Sequence, residues 1–520
     1  IMKTLLYNSK VFLKADKFTE AVGLDSENGK IVFTGKNIDA LKRDYDVSID
    51  LGGKLVIPAF TEGHAHLVKG AMVKAELNLR NAATRSGFAN AIDAYRKNLK
   101  PGGWIYGGYF SETNFTEDFI INRDFLDEIC PDIPVVISRL DLHSAVANSL
   151  AVKLSGVESK INYFAEDELI TDSGGRLTGE LKERAAFFVF SFIPELSSSD
   201  KKRILLNQIK YLYTLGITAV TDISLREDLD LYKLLFEEEL LNLRINSVVP
   251  FQEFHNIKNY KNEFNSFPLI RFGSFKAFYD GALSSESGLF KKPFIGSEYK
   301  GHRTDFVQSG GFRSAGIEID KAGYQMIVHA IGDQAVSEVL DFARELASLN
   351  GNRDRRFRIE HAQHIDKSDI HRFKEYGVIA SVQPSHLFVD AKTAVKKLAS
   401  PESTHTCKDI IKEGGVVCFG TDFPVASESP FETIYYAMTR RAKGFPDGFM
   451  PEYALSINEC FEAYTINNAY ASFEEKNRGS ITTGKSADIV VLNADLFSVP
   501  AEEIKNAAAE MTFLGGERVF

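Results

Sequence analysis

Cysteine is scarce in this chain, four in 520 residues. Cys130, Cys407, Cys418 and Cys460 are scattered, with no pair spaced as CxxC. That speaks against a disulfide framework and for a reducing compartment; Cys418, inside the apolar run VVCFG, reads as a buried thiol. Long apolar runs are also missing. No uninterrupted stretch approaches the length of a membrane span, and the N-terminal segment has neither the apolar core nor the small-residue cleavage site of a signal peptide. A cytoplasmic protein without a membrane partner is the expectation. An excess of positive charge is absent as well. The formal net charge of −10 leaves no basic stripe for a nucleic-acid partner. Tryptophan occurs once, at Trp104, and no internal repeat or low-complexity tract is seen.

The length is large for a single compact core, so one domain with insertions or two domains is expected. Residues 1–54 have β character. TLLYNSKVFL precedes AVGLDSENGKIVFTG, whose Glu27-Asn28-Gly29 is a turn signal between apolar runs. The tail from 478 to 520 is similar, with a strand expected at Ile489–Leu492. Chain ends often lie close together, so residues 1–54 and 478–520 are expected to form a small β-sandwich domain. Between them, apolar strand candidates alternate with helical patterns: 55–60, 218–224, 244–251, 272–278, 325–330, 357–362, 379–384 and 416–422. Eight such units predict a (β/α)8 TIM barrel over 55–477, an α/β fold. The gap after the first strand is too long for one helix and predicts a large insertion at about 70–215, with strand candidates at 104–110 and 134–143.

Active sites of such barrels lie at the C-terminal ends of the strands. Those ends carry His64 and His66 in FTEGHAHLVKG, Lys276, His329, His361 and Asp422. Taken singly, each has an ordinary reading: a hydrogen-bonded histidine, an ion-paired lysine, an aspartate capping a turn. Together at one mouth, four imidazoles and a carboxylate suit a divalent metal, zinc above all. An ammonium cannot be a ligand, so Lys276 fits only if it is carboxylated by carbon dioxide. Burial and nearby cations favour the neutral amine that reaction needs.

The ordered set HAH, SFKAF, VHA, EHA and GTD resembles the amidohydrolase superfamily. GSFKAFYDGAL is similar to the fourth-strand segment of hydantoinases and dihydropyrimidinases, where the lysine is carboxylated. RLDLHSAVANSLA, GRLTGELKERA, HAIGDQAV, RIEHAQ and GTDFPVASESPF resemble the amidohydrolase-3 branch, which includes N-substituted formamide deformylases. The likeness runs from about residue 50 to 490. It implies that His64, His66 and Asp422 hold one metal and His329 and His361 a second, with carboxylated Lys276 bridging; one or two ions fit this branch.

The activity so implied is hydrolysis of a non-peptide carbon–nitrogen bond by metal-activated hydroxide, on a linear N-substituted amide, formamide or N-acyl compound. Asp422 would act as general acid–base. His143, in the insertion, would hydrogen-bond the substrate carbonyl or oxyanion; its alternative role is to order the insertion loop. Tyr279 and Asp280 are further pocket candidates, Gln363 and His364 partners for the ligands, and Gln383 and His386 pocket-lining residues. WIYGGYF offers either an aromatic wall for substrate or plain core. The rival activities are a hydantoinase-like hydrolase of cyclic amides and a non-catalytic barrel that binds without reacting. A small molecule is the expected partner, and a homodimer is compatible with the sequence.

Overall fold

The computed structural model describes residues 2–41, 43–165, 167–264 and 266–520. The chain divides into two compact units, Ile1–Val68 with Leu206–Phe520, and Lys69–Leu205.

The first unit contains an eight-stranded parallel sheet: β1 (Phe60–Ala65), β2 (Ile217–Ile223), β3 (Arg244–Pro250), β4 (Ile270–Phe278), β5 (Gln325–Ala330), β6 (Arg358–His361), β7 (Ile379–Val382) and β8 (Val416–Phe419). Each strand pairs with its sequence neighbour. The seam between β1 and β8 is joined by a parallel bridge, Ala65 to Phe423, and by bonds from Asp422 N to His64 O (2.8 Å) and His66 N to Phe423 O (2.9 Å). This is a (β/α)8 barrel. Most strand residues are buried, and Val and Ile recur among them, as expected of parallel strands covered on both faces.

The seam also explains two glycines. A Cβ on Gly63 would lie 2.3 Å from Phe419 O and 2.4 Å from Asn468 Oδ1, and one on Gly420 would lie 2.5 Å from His64 N. Any side chain at either position would hold β1 and β8 apart, so the glycines let the sheet close.

The expected first strand, Leu55–Phe60, divides between two sheets. Leu55–Pro58 forms its own strand, whose Val56 and Ile57 pair antiparallel with Val491 and Val490. Two residues later Phe60 N donates to Gly216 O (2.9 Å) and the barrel begins. The first barrel strand is therefore FTEGHA, with His64 inside it rather than after it.

Leu55–Pro58 lies in a six-stranded sheet with Lys10–Lys14, Lys17–Thr19, Ile489–Leu492, Ala509–Leu514 and Glu517–Arg518. A four-stranded sheet holds Lys3–Tyr7, Ala21–Asp25, Lys30–Gly35 and Val47–Asp50. Leu6, Val22, Leu24 and Ile31 of the smaller sheet share one core with Val11, Val56, Ile489, Val491 and Phe513 of the larger. Both ends of the chain thus bury the same apolar surface.

The second unit is a mixed six-stranded sheet in the order Leu169–Thr171, Leu177–Lys182, Ser144–Ala147, Val135–Arg139, Ile105–Phe110, Leu77–Asn78. Strand alternation sends Val136, Ala145 and Ala147 into one core and Val135, Ile137 and Val146 into another. Trp104 packs in the first and Phe110 in the second, both buried, so these two aromatics of WIYGGYF are core. No helix among the described residues is long and apolar enough to cross a membrane.

Candidate metal centre

Period-two alternation on β1 turns Glu62 and His64 to the same face. Both are buried. Glu62 accepts from the backbone N–H of His64 (3.0 Å) and of Thr421 (2.8 Å) and from Thr421 Oγ1 (3.1 Å), so it ties the His64 segment to the loop that carries Asp422. Asp422 and His361 both have positive φ, 57° and 71°. These left-handed residues depart from strand geometry at the point where the chain turns over the barrel mouth.

Hydrogen bonds set which ring nitrogen of each histidine is available. His64 Nδ1 bonds to Glu360 Oε2. Its Nε2 then faces Asp422 Oδ1 at 3.4 Å, and His66 Nε2 approaches the same oxygen at 3.6 Å. His361 Nδ1 donates to Gln383 Oε1 (2.8 Å), which leaves Nε2 as its lone-pair donor. His329 is reversed: Nε2 donates to Gly281 O (3.2 Å), which leaves Nδ1. An imidazole fixed through one nitrogen by a carboxylate, amide or carbonyl is how proteins orient a metal-binding histidine. One donor atom each from His64, His361 and Asp422 lie within 4.8 Å of one another, and the His329 and His361 ring centroids are 4.5 Å apart.

Lys276 lies on β4 with its side chain inside the barrel, 3 % exposed, and its Nζ has no hydrogen-bond partner. Burial lowers its pKa to about 8, against the raising influence of Glu360 and Asp422. An orphaned, part-neutral amine among histidines is costly as it stands. The other groups are polarised to match. Burial and Lys276 depress His329 to about 3, and burial and His329 hold His361 well below the ordinary imidazole range. Both rings are therefore neutral and have lone pairs to offer. Burial opposes ionisation of Asp422, but His64, His361 and His386 outweigh it and keep the carboxyl below its usual range. His64 differs: burial and Lys276 oppose its protonation, but Glu360 and Asp422 outweigh them and raise its pKa. Two neutral imidazoles, a third held between carboxylates and an anionic aspartate form a donor set that fits a divalent cation.

A family model described as "Amidohydrolase family" matches residues 48–520. The chain belongs to the amidohydrolase family. It is 29 % identical over 534 residues to "Protein LONG AFTER FAR-RED 3" of Arabidopsis thaliana, covering 99 % of this chain and 91 % of that one. It is 25 % identical to the N-substituted formamide deformylase of Arthrobacter pascens, covering 94 % and 93 %. The crystal structure of an uncharacterized metal-dependent hydrolase from Pyrococcus furiosus superimposes with a TM-score of 0.75 over 95 % of this chain and 99 % of that one, at 22 % identity.

In this amidohydrolase, sequence reasoning missed Glu360 and Arg358. Arg358, 1 % exposed, donates to Glu360 Oε1 (2.8 Å) and Oε2 (3.1 Å), to Gly63 O (2.8 Å) and to Ser381 Oγ (3.0 Å). The signal was present in RIEH: charged residues at alternate positions of a buried strand, with the apolar Ile359 between them, point into the barrel. Gln383 orients His361, and His386 donates to Thr421 O (3.1 Å) with its ring 6.3 Å from that of His361.

The other five candidates are Tyr279, Gln363, His364, Asp280 and His143, and of these Asp280 alone adjoins a proposed ligand. The Tyr279 hydroxyl donates to Glu338 (2.7 Å) and its ring packs on Phe312, on the outer face of β4. Gln363 and His364 bond to each other, and His364 to Thr404, so they tie two loops together. Asp280 accepts from the backbone N–H groups of Leu289, Ile331 and Gly332, with Oδ1 3.7 Å from His329 Nε2. His143 belongs to the second unit, where its side chain is 66 % exposed and its Nδ1 is 3.2 Å from Glu183 Oε2.

Proposed function

We propose that this amidohydrolase cleaves a non-peptide carbon–nitrogen bond in a linear N-substituted amide, formamide or small N-acyl compound. His64, His66, His329, His361 and Asp422 would hold one or two divalent ions, zinc being the best match for nitrogen-rich donors. The observation that carries the proposal is Lys276: a buried amine without a hydrogen-bond partner, in a barrel mouth where His329 and His361 are held neutral. The ammonium first gives up a proton; the neutral amine then reacts with carbon dioxide to give a carbamate anion and a second proton, so that a misfit cation becomes a two-oxygen ligand.

A bound ion would supply Lewis acidity toward a carbonyl and a water of lowered pKa. The protein's own part begins with orientation. Glu360, Gln383 and the Gly281 carbonyl each fix one ring, and donor atoms of His64, His361 and Asp422 lie within 4.8 Å of one another before any substrate arrives. Asp422, ionised and only partly exposed, accepts the proton of the attacking water and returns it to the leaving nitrogen. His143 is the candidate donor to the substrate carbonyl. The similarity to an N-substituted formamide deformylase supports a linear substrate.

The test is a panel of linear amides, formamides and cyclic imides offered to zinc- and manganese-loaded protein, scored for amine release. Turnover of linear members supports the assignment. Turnover of cyclic imides alone transfers it to a hydantoinase-like reaction.

A further inference from the structure

Two aromatics of WIYGGYF, Tyr106 and Tyr109, are only half-buried, and both stand beside one carboxylate. The Tyr109 hydroxyl donates to Glu76. Tyr106 is brought to Glu76 by the ladder: Leu77 pairs parallel with Gly107, and a Cβ on Gly107 would lie 2.8 Å from Glu76 Cβ. Glycine at 107 therefore lets Glu76 approach the strand that carries Tyr106. Glu76 forms no ion pair among the described residues; the Arg80 guanidinium lies instead over the Tyr109 ring, at 4.3 Å. Burial pushes the Glu76 carboxyl up, against the opposing influence of Tyr109 and Arg80. A carboxylate partly removed from water, with one hydroxyl as partner, is short of positive charge.

Tyr95, Trp104 and Tyr106 line a cavity of about 350 Å³ within the second unit, a volume in the range of small-ligand sites. Burial and Glu76 both push the Tyr95 and Tyr106 phenols up, so both are neutral and both sense the Glu76 charge. Their hydroxyls make no hydrogen bond among the described residues. Leu99, Ile193, Leu196 and Ile204 add apolar lining. The two cations of the lining, Lys100 and Arg203, already meet Asp200, at 2.6 and 3.4 Å. Glu195, also in the lining, has no such partner among the described residues. The lining is thus balanced in charge, and Glu76 beside the tyrosines adds a negative bias.

We propose that this cavity in the second unit is a binding site for an organic ammonium ion, a quaternary or protonated amine with a compact apolar body. Aromatic rings attract a cation through their quadrupole, tryptophan most strongly, and aromatic cages are how proteins hold quaternary ammonium groups. Tyr95, Trp104 and Tyr106 supply the rings, and Glu76 supplies the counter-charge. A neutral molecule of the same shape would gain the apolar contact alone. An anion would meet Glu76 and Glu195, while the cations at Lys100 and Arg203 are already occupied by Asp200.

Trp104 is the only tryptophan of the chain, so its fluorescence, excited where tyrosine does not absorb, reads this cavity directly and without turnover. The probes are choline, 3,3-dimethylbutan-1-ol as its uncharged isostere and 3,3-dimethylbutanoate as the anion, titrated into the full chain at constant ionic strength. Choline should give a saturable change with a Kd roughly tenfold below that of the alcohol, and the anion should bind most weakly. Glu76→Gln keeps an oxygen for the Tyr109 hydroxyl and should bring choline to the level of the alcohol. Tyr106→Leu should weaken choline roughly tenfold and the alcohol by no more than about threefold. Melting curves establish that each variant is folded; if Tyr106→Leu is not, Glu76→Gln decides alone. No saturation by choline below about 10 mM, equal Kd values for choline and the alcohol, or choline binding unmoved by Glu76→Gln overturns the inference. Tightest binding of the anion overturns it too, and would place the recognition at Lys100 and Arg203.

Discussion

Removing Glu360 should damage stability and metal affinity together, and a second substitution should separate the two. Glu360 is fully buried and meets the equally buried Arg358 through two hydrogen bonds, 2.8 and 3.1 Å, while the same carboxylate holds His64 Nδ1. In Glu360→Ala, Arg358 keeps Gly63 O and Ser381 Oγ but loses its counter-charge. Breaking one side of such a buried pair costs about 3–5 kcal/mol. The freed His64 ring loses its orienting partner, which lowers metal affinity by about 10–100-fold. Glu360→Gln keeps an oxygen for His64 and should lose less affinity than Glu360→Ala.

The double substitution Arg358→Met, Glu360→Met removes both charges at similar volume. It should recover most of the stability and none of the affinity. Urea unfolding of the metal-free protein gives the first quantity, and competition with a chromophoric zinc indicator gives the second. The reasoning fails if Glu360→Ala unfolds within about 0.5 kcal/mol of wild type, the spread of neutral surface changes. It also fails if the double variant regains affinity, since His64 would then not depend on this carboxylate.

Four further outcomes are expected. Lys276 binds its proton more weakly folded, at about 8, than unfolded, at 10.5. The unfolded chain therefore holds more protons between these values, and metal-free, uncarboxylated protein gains up to about 3 kcal/mol as pH rises through that window; Lys276→Met should abolish the gain in paired denaturation curves. Gly63→Ala places a methyl 2.3 Å from Phe419 O and should cost at least about 1–3 kcal/mol through overpacking at the seam; an unchanged melting temperature would show that the seam yields freely. Asp422→Asn should lower kcat by about 10²–10⁴-fold, checked by amine release from protein whose metal content has been measured by mass spectrometry. Chelation should lower the melting temperature, and restoring metal at 100 times Kd should return about 2.7 kcal/mol; a melting curve indifferent to chelator would oppose a resident ion.

Much of the barrel could be read from composition alone. Apart from β6, strands β2 to β8 are short runs rich in β-branched, aromatic and other apolar residues, and parallel strands covered on both faces produce that pattern whatever their neighbours. β1 escaped because FTEGHA carries glutamate, glycine and histidine into the barrel interior, and periodicity cannot tell an interior polar strand from a loop. The apolar run before it, Leu55–Pro58, is a strand of another sheet, and only the pairing partners decide to which sheet a strand belongs.

The same division holds at the site. His64, His66, Lys276, His329, His361 and Asp422 stood out because strand ends in a closed parallel sheet converge on one rim, so their order along the chain already implied a shared location. What orients them was not legible. Glu360 reaches His64 across 296 positions, His361 leans on Gln383 from the next strand, and Tyr279 faces outward although it is only three residues from Lys276. Residue type and spacing determine which donors exist; closure of the sheet determines which nitrogen each ring presents, because a hydrogen bond between distant strands depends on distances that the linear order does not contain.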